Sequence, residues 1–165
     1  MAEKNSVERV RAALLEAGHP DTIATFPDGT RTAVDAAAAI GCTVAQIAKT
    51  IVFRARTGDI DGNGERPALV IASGVNRVDA AKVAALLGAT LKRADADWVR
   101  ERTGFAIGGV SPVGHLTPPL IVFDRDLLAL HPIWAAAGSP QHVFQTEAQV
   151  LARITGATVA DVRED

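Results

Sequence analysis

The chain has 165 residues, of which 48% are hydrophobic and 22% are charged, with a formal net charge of −2 and a pI of about 6.1. This length and composition predict one folded domain over residues 1–165, exclude a disordered chain and, with Cys42 as the single cysteine, exclude an internal disulfide. The weak negative charge excludes a bulk positive field for nucleic acid, so any RNA contact needs a local basic patch.

The N-terminus and the apolar runs predict where the protein is found. Residues 1–11 carry charged side chains and lack the apolar region of a secretory signal. No apolar run approaches the ~20 residues that a membrane helix needs. We therefore expect a cytoplasmic protein without membrane contact, and the sequence leaves its oligomeric state open.

Helical and strand patterns alternate along the first half of the chain. Asn5 or Ser6 can cap a first helix, whose apolar residues recur at helical spacing until Gly18 stops it. The elements that follow are a strand over 22–26, a helix from Thr32 to Ile40, a helical turn over 44–48, and two strands over 49–56 and 68–73 joined by a glycine-containing loop over 57–66.

The second half continues the alternation and decides the predicted fold class. It begins with a helix over 76–88 with Asp79 as a cap, a strand over 90–93 and a helix from Asp95 to Thr103. A strand over 120–123, a turn or short strand over 126–130 and a strand over 142–145 come next. The last elements are a helix that is capped by Thr146 and ends near Gly156, and an extended segment over 158–162. The strands outnumber those of a simple doubly wound sheet, and several pair as hairpins. We expect a mixed α/β (α+β) fold with a curved, barrel-like mixed sheet flanked by helices.

Residues 108–112, Gly-Gly-Val-Ser-Pro, are the most informative segment and are called the glycine loop below. Gly108 and Gly109 permit positive φ or close approach of a ligand, Ser111 adds a hydroxyl, and Pro112 stiffens the exit. Such a loop can direct several backbone N–H groups at a developing oxyanion. The alternative is a plain turn between two strands, which the chemistry of these residues alone favours.

Lys49 opens an otherwise apolar strand about sixty residues before the glycine loop. A lone lysine at such a position is more often a solvated edge residue, which also discourages aggregation. In a site, its compact charge could hold a phosphate or the 3′-terminal ribose of a nucleic acid. The chain offers no convincing Ser-His-Asp set, paired-carboxylate signature or metal-ligand cluster, so we expect no cofactor and no metal.

The order of these segments carries a family resemblance. The lysine-led strand 48–53 is followed by the strand 68–73, the run Gly-Val-Asn-Arg-Val-Asp over 74–79, the segment 105–115 with its G-x-x-x-P pattern, and Asp-Arg-Asp over 124–126. From about Val7 to Val162 the chain resembles the YbaK/EbsC family, whose domain is shared with the editing insertion of bacterial prolyl-tRNA synthetases. The runs over 72–79 and 134–138 resemble the free-standing homologues of that editing domain.

The resemblance implies hydrolysis of the ester that joins a wrong amino acid to the terminal adenosine of a tRNA, above all tRNA(Pro). Prolyl-tRNA synthetase is then a potential partner. In similar proteins the neighbouring 2′-hydroxyl of the substrate assists, so no protein base is required. Alanine-rich segments suggest a small amino acid such as alanine or 2-aminobutyrate. Two alternatives stay open: a non-catalytic module that binds tRNA or a synthetase, and a hydrolase of another small ester or amide.

The candidate site residues follow from the motifs and the resemblance together. The expected catalytic residues are Lys49, Gly108, Gly109, Ser111 and Pro112. The expected substrate-binding residues are Thr50, Ser73, Gly74, Asn76, Gly138 and Ser139, with Gly138 and Ser139 placed in a turn. His115 is interpreted as a surface histidine.

Overall fold

The computed structural model describes residues 2–57 and 64–165. Within them, five α-helices and eight β-strands form, together with short 3₁₀ turns at Val44–Gln46 and Arg125–Ala129. The helices are α1 (Ala2–Glu16), α2 (Ala33–Ile40), α3 (Ala80–Leu87), α4 (Ala96–Thr103) and α5 (Ala148–Thr155). The strands are β1 (Ile23–Thr25), β2 (Ile47–Thr57), β3 (Glu65–Ser73), β4 (Ala89–Arg93), β5 (Leu120–Asp124), β6 (Ile133–Ser139), β7 (His142–Thr146) and β8 (Thr158–Ala160).

All eight strands belong to one mixed sheet. Its order is β1-β7-β6-β2-β3-β5-β8, and β4 pairs with β2 off this path. β2 and β3 form a long antiparallel hairpin, whereas β2–β6, β3–β5 and β5–β8 are parallel pairs. The sheet curls into a half-barrel and the helices flank it. The predicted curved, barrel-like mixed sheet is therefore confirmed.

β3 lies at the centre of the sheet with both of its faces covered. Ile71 packs into the main core, which also contains Phe105, Phe123 and Phe144. Its neighbours on the strand face a second apolar cluster that includes Val83 of α3. Because side chains alternate across a strand, a strand covered on both faces carries a continuous apolar run. This accounts for the unbroken apolar sequence of β3.

β6 is the largest departure from the predicted elements. No strand is predicted over 133–139 from the sequence. The placement of Gly138 and Ser139 in a turn is wrong, because they end β6 and the turn is Pro140–Gln141. The run Trp-Ala-Ala-Ala-Gly has few residues with high strand propensity. Pairing with β7 on one edge and with the start of β2 on the other overrides that propensity.

The ends of several other elements also differ from the predicted ones. α3 begins at Ala80 rather than at 76, with the Asp79 carboxylate accepting the N–H groups of residues 81 and 82. β2 begins at Ile47, so Lys49 is its third residue. Thr146 ends β7 and does not cap α5, whose N-cap residue is Glu147. β3 begins at Glu65, and the predicted loop over 57–66 lies largely outside the described residues.

Apolar helices long enough to cross a membrane are absent from residues 2–57 and 64–165.

Candidate active site

The candidate active site lies where two neighbouring strands diverge. β2 pairs with β6 only over residues 47–48, and on the same edge it pairs with β4 only over residues 53–57. Among the described residues, no strand covers that edge over the intervening residues 49–52. A cavity of about 150 Å³ lies at this opening in the sheet.

Four segments form the walls of the cavity. They are the segment before α2 with the first turn of α2 (Thr30, Arg31, Thr32, Ala33, Ala36), the start of β2 (Ile47, Ala48, Lys49, Thr50), the glycine loop (Gly108, Val110), and β6 with β7 (Trp134, Ala135, Ala136, Val143). The cavity thus combines small apolar side chains with two cationic ones.

Lys49 stands between the cavity and a shallow groove that residues 74–78 also border. Its ammonium makes no hydrogen bond or ion pair with any described residue. Burial lowers the pKa of Lys49 below its usual 10.5, and the charge of Arg77 lowers it further, while the charge of Asp124 opposes both effects. A partly desolvated ammonium without a protein partner is available to a substrate.

A buried polar network holds the carboxylate that acts on Lys49. Asp124 Oδ2 accepts the backbone N–H of Ser73 at 3.0 Å and the side-chain N–H of Asn76 at 2.8 Å. Its Oδ1 accepts the backbone N–H of Asp126 at 2.9 Å. Because a buried carboxylate needs such donors, Ser73 and Asn76 fix the position of Asp124.

Two backbone N–H groups of the glycine loop have no partner among the described residues. The N–H of Gly109 donates to the carbonyl of Ala106 at 3.0 Å, and Gly108 has a φ of +93°, which only glycine adopts readily. The N–H groups of Gly108 and Val110 make no hydrogen bond with any described residue, and both residues line the cavity. Two unpaired donors beside one cavity are what a developing oxyanion requires.

The end of β6 and the turn after it hold the glycine loop and two other segments in place. A Cβ on Gly109 would lie 2.6 Å from the backbone C and Cα of Ser139. The backbone N–H and the hydroxyl of Thr30 donate to the carbonyl of Pro140 at 2.5 and 2.9 Å. The hydroxyl of Ser6 in α1 donates to the carbonyl of Gly138 at 2.6 Å. Residues 138–140 therefore connect α1, the segment before α2 and the glycine loop.

Comparison with known proteins decides the family. The sequence model of the aminoacyl-tRNA editing domain matches residues 27–154, which is most of the chain and includes all four walls of the cavity. The chain belongs to the aminoacyl-tRNA editing domain family.

Individual relatives match this chain over nearly their full length. A solved structure of a candidate trans-editing enzyme for prolyl tRNA synthetase is 42% identical, with a TM-score of 0.85, over 97% of this chain and 98% of that chain. The hypothetical protein APE2540 is 28% identical, with a TM-score of 0.83, over 94% and 99% of the two chains. The uncharacterized protein YwhH of Bacillus subtilis is 27% identical over 161 residues, 97% of this chain and 98% of that protein.

The editing domain brings three of the expected site residues to the cavity. Lys49 and Thr50 contribute from β2 and Gly108 from the glycine loop. Gly74 and Asn76 border the groove on the other side of Lys49 instead. The expected residues thus divide between two depressions that share Lys49.

Other expected site residues lie away from the cavity. Ser111 is fully buried, and its hydroxyl accepts the N–H of Val113 at 3.2 Å. Pro112 lines a separate cavity of about 240 Å³ against α1 and α5. The hydroxyl of Ser73 donates to the carbonyl of Ala45 at 2.7 Å, and Ser139 Oγ lies 2.6 Å from His142 Nδ1. Gly109, Gly138 and Ser139 contribute to the support behind the glycine loop.

His115 is not the surface histidine that the sequence suggested. Its Nε2–H donates to the carbonyl of Ser111 at 2.6 Å, its ring packs edge-on against Phe105, and its Nδ1 is buried without a partner among the described residues. Burial lowers the pKa of His115 to about 4, with a smaller lowering by Arg9 and an opposing effect of the bond to Ser111. The ring ties the end of the glycine loop to the segment that follows it.

Sequence reasoning missed Arg31, Trp134 and Asp124 as residues of this region. Arg31 precedes a predicted helix cap, Trp134 lies in the strand that was not predicted, and Asp124 belongs to the Asp-Arg-Asp run that carried the family resemblance. Of the three, only Asp124 could have been recognised from the sequence, since an acidic residue directly after a buried strand needs a partner. The other two become neighbours of Lys49 only through the tertiary structure.

Proposed function

We propose that this editing domain is a deacylase that acts in trans and hydrolyses the ester between a small, wrongly attached amino acid and the 3′-terminal adenosine of tRNA(Pro). The observation that carries the proposal is that one cavity is lined by Lys49, whose ammonium is unpaired, and by Gly108 and Val110, whose N–H groups are unpaired among the described residues. The family supports an editing role on tRNA. The 42%-identical candidate trans-editing enzyme for prolyl tRNA synthetase supports the choice of tRNA(Pro).

The proposed reaction needs positioning and charge stabilisation more than a strong base. The oxygen of a water molecule bonds to the ester carbonyl carbon, and the N–H groups of Gly108 and Val110 donate to the resulting oxyanion. The oxyanion then re-forms the carbonyl as the bond to the ribose oxygen breaks. The ribose oxygen takes the proton that the attacking water gives up, and the free amino acid leaves. The neighbouring ribose hydroxyl orients the water, as the family resemblance implies, while the charge of Lys49 stabilises the negative transition state.

The cavity size supports a small amino acid. Its walls carry the methyl side chains of five alanines, at positions 33, 36, 48, 135 and 136. A cavity of about 150 Å³ holds a molecule as large as benzene, so it has room for an alanyl or 2-aminobutyryl group. One methylene changes hydrophobic binding by only about 1–3 kcal/mol, so selection among small side chains is graded.

Deacylation of a charged tRNA panel tests the proposal. One tRNA(Pro) transcript is charged in turn with alanine, 2-aminobutyrate and proline, and release of the amino acid is followed with and without the protein. We expect hydrolysis of the first two esters and at least about tenfold slower hydrolysis of the prolyl ester, because a deacylase that edits tRNA(Pro) must spare the correctly charged ester and a small pocket discriminates by about that order.

Two further arms separate the alternatives. Alanine ethyl ester as substrate tests for a hydrolase of small esters, which would cleave it as readily as the tRNA ester. Binding of the charged tRNA without turnover would indicate a binding module instead. Either result contradicts the proposed deacylase.

A further inference from the structure

Arg31 has a fixed backbone and an unpaired side chain. On one side of it, Thr30 is bound twice to the carbonyl of Pro140. On the other side, the hydroxyl of Thr32 accepts the N–H of Asp35 at 3.0 Å and caps α2. The Arg31 guanidinium is solvent-exposed and makes no hydrogen bond or ion pair with any described residue. Neither neighbouring carboxylate in the sequence, Asp28 or Asp35, neutralises it.

The side chain of Arg31 lies across the glycine loop. A Cβ on Gly108 would stand 2.8 Å from Arg31 Cγ, 3.0 Å from its Nε and 3.4 Å from its Cδ. Glycine at 108 therefore leaves the space that the arginine stem occupies. Arg31 lines the cavity and is exposed, so its side chain lies at the solvent side of the cavity wall, next to Gly108, one of the proposed oxyanion donors.

The two cations of the cavity differ in their surroundings. Lys49 is partly desolvated, whereas the Arg31 guanidinium is in contact with solvent. The cavity of about 150 Å³ has room for the small amino acid and not for the nucleic acid, so an ester carbonyl bound at the N–H groups of Gly108 and Val110 leaves the nucleic acid outside. The first phosphate of that nucleic acid is then at the mouth, where a planar guanidinium can bind two of its oxygens.

We propose that Arg31 binds the phosphodiester that joins the terminal adenosine of the substrate to the preceding nucleotide. This inference rests on the proposed deacylase function. It assigns the phosphate to Arg31 and leaves Lys49 to the ribose and the ester. It also explains why an exposed arginine has a backbone that is anchored on both sides.

Substrates with and without the phosphate test the inference. The Arg31→Gln variant is compared with wild type on 2′(3′)-O-alanyl-adenosine, which has no phosphate, and on the alanyl ester of the dinucleotide CpA, which has one. We expect kcat/KM for the alanyl-CpA ester to fall about ten- to a hundredfold, since a hydrogen bond to a charged group has that order of effect. The loss on alanyl-adenosine is expected to be at least tenfold smaller. Arg31→Lys is expected to be intermediate, because it keeps the charge without the planar fork.

A matched control variant separates the role of Arg31 from a general effect of removing an exposed arginine. Arg153→Gln, the same exchange at an exposed position of α5, is expected to match wild type on both esters. Equal losses on both esters in Arg31→Gln would mean that Arg31 only packs against Gly108, and would overturn the inference. So would an unchanged kcat/KM for alanyl-CpA.

Binding of uncharged CpA and adenosine is measured by calorimetry, independently of turnover. Wild type is expected to bind CpA more tightly than adenosine, and Arg31→Gln is expected to lose that difference. A variant that keeps the difference overturns the role of Arg31, whatever the esters show. A wild-type protein that turns over neither ester nor alanyl-tRNA(Pro) would contradict the deacylase function. If that protein still prefers CpA and Arg31→Gln does not, the phosphate site remains supported.

Discussion

At the scale of single residues, Lys49 and Thr50 show how one strand places side chains from its two opposite faces at the same opening in the sheet. Alternation along β2 places Thr50 on the same face as Ala48 of the main core, and Lys49 on the face of Ile51, which packs against the second cluster. Because no described strand covers this part of the β2 edge, both residues reach the cavity wall. The gap in the sheet, rather than the lysine itself, makes this position a candidate site.

Replacing Lys49 tests its role in the proposed reaction. We expect Lys49→Ala to lower kcat/KM on alanyl-tRNA(Pro) about a hundredfold, because one charged partner of the substrate is lost. The melting temperature is expected to stay the same or rise, since the ammonium is partly desolvated and has no partner among the described residues. Lys92→Ala, at an exposed position of β4, is the control and is expected to keep wild-type kinetics. Wild-type turnover by a folded Lys49→Ala protein would refute the assignment.

The two glycines of the loop are expected to respond differently to alanine. At Gly109 the new Cβ meets the backbone of Ser139, which cannot move without shifting the end of β6, so we expect a large fall in melting temperature. At Gly108 the Cβ meets the flexible stem of Arg31, and the positive φ adds strain of about 1–3 kcal/mol.

Gly108→Ala should therefore remain folded under mild conditions while losing most of its activity. Thermal unfolding and deacylation of alanyl-tRNA(Pro), measured on both variants, check this difference. A Gly109→Ala protein with an unchanged melting temperature would contradict the packing argument, and an active Gly108→Ala protein would contradict the oxyanion role.

At the scale of elements, the segment after the glycine loop is fixed by a histidine that stays neutral. The Nε2–H of His115 holds the carbonyl of Ser111, and the burial that accompanies this contact lowers the pKa of His115 from 6.5 to about 4. The folded protein therefore resists protonation of a ring that the unfolded chain protonates readily. Protonation would place an uncompensated charge beside Phe105 and near Arg9.

This difference predicts a pH dependence of stability. Between pH 6.5 and pH 4 the unfolded state binds the His115 proton and the folded state does not, so the free energy of unfolding falls as the pH falls through this window. The contribution is fully present above pH 6.5 and amounts to about 3 kcal/mol at most. Urea unfolding at pH 7 and pH 4.5 measures it. His115→Gln is expected to show a smaller change than wild type, whereas His131→Gln, at an exposed histidine, is expected to keep the full change.

At the scale of the whole molecule, charge limits how tRNA is held. The net charge is −2, and the cations that line the cavity among the described residues are Lys49 and Arg31. We therefore expect contacts near the acceptor end, with few phosphates neutralised. A short acceptor-stem minihelix should then be deacylated almost as efficiently as the full tRNA.

Salt dependence measures the number of those contacts. Each phosphate contact to a single strand contributes about −0.7 to the slope of log affinity against log salt, so the one phosphate contact proposed for Arg31 gives a slope of about −0.7. Binding of uncharged tRNA(Pro) and of the minihelix, titrated over a range of salt concentrations, gives both slopes. A slope much steeper for the full tRNA than for the minihelix would reveal a larger RNA-binding surface and contradict the acceptor-end contact.

Some features of the fold and site were readable from sequence because they depend on local chemistry. Helical spacing with a capping residue predicted α2 and α4, and the continuous apolar run predicted β3. Two adjacent glycines predicted a loop with positive φ, which Gly108 has. The order of Lys49, the glycine loop and Asp-Arg-Asp indicated the family, which the match to the editing-domain model confirms.

Other features were decided only by contacts between distant segments. β6 exists because β2 and β7 pair with an alanine-rich run that has little strand propensity of its own. Ser111 and Ser139 carry hydroxyls suited to a site, yet their partners are Val113 and His142 rather than the cavity. Arg31 stands over Gly108 because residues 138–140 anchor both segments. Sequence alone determined the local structures that have their own periodicity or capping residue. The tertiary structure determined that β6 forms and which side chains meet, because both depend on pairing and packing between residues far apart in the chain.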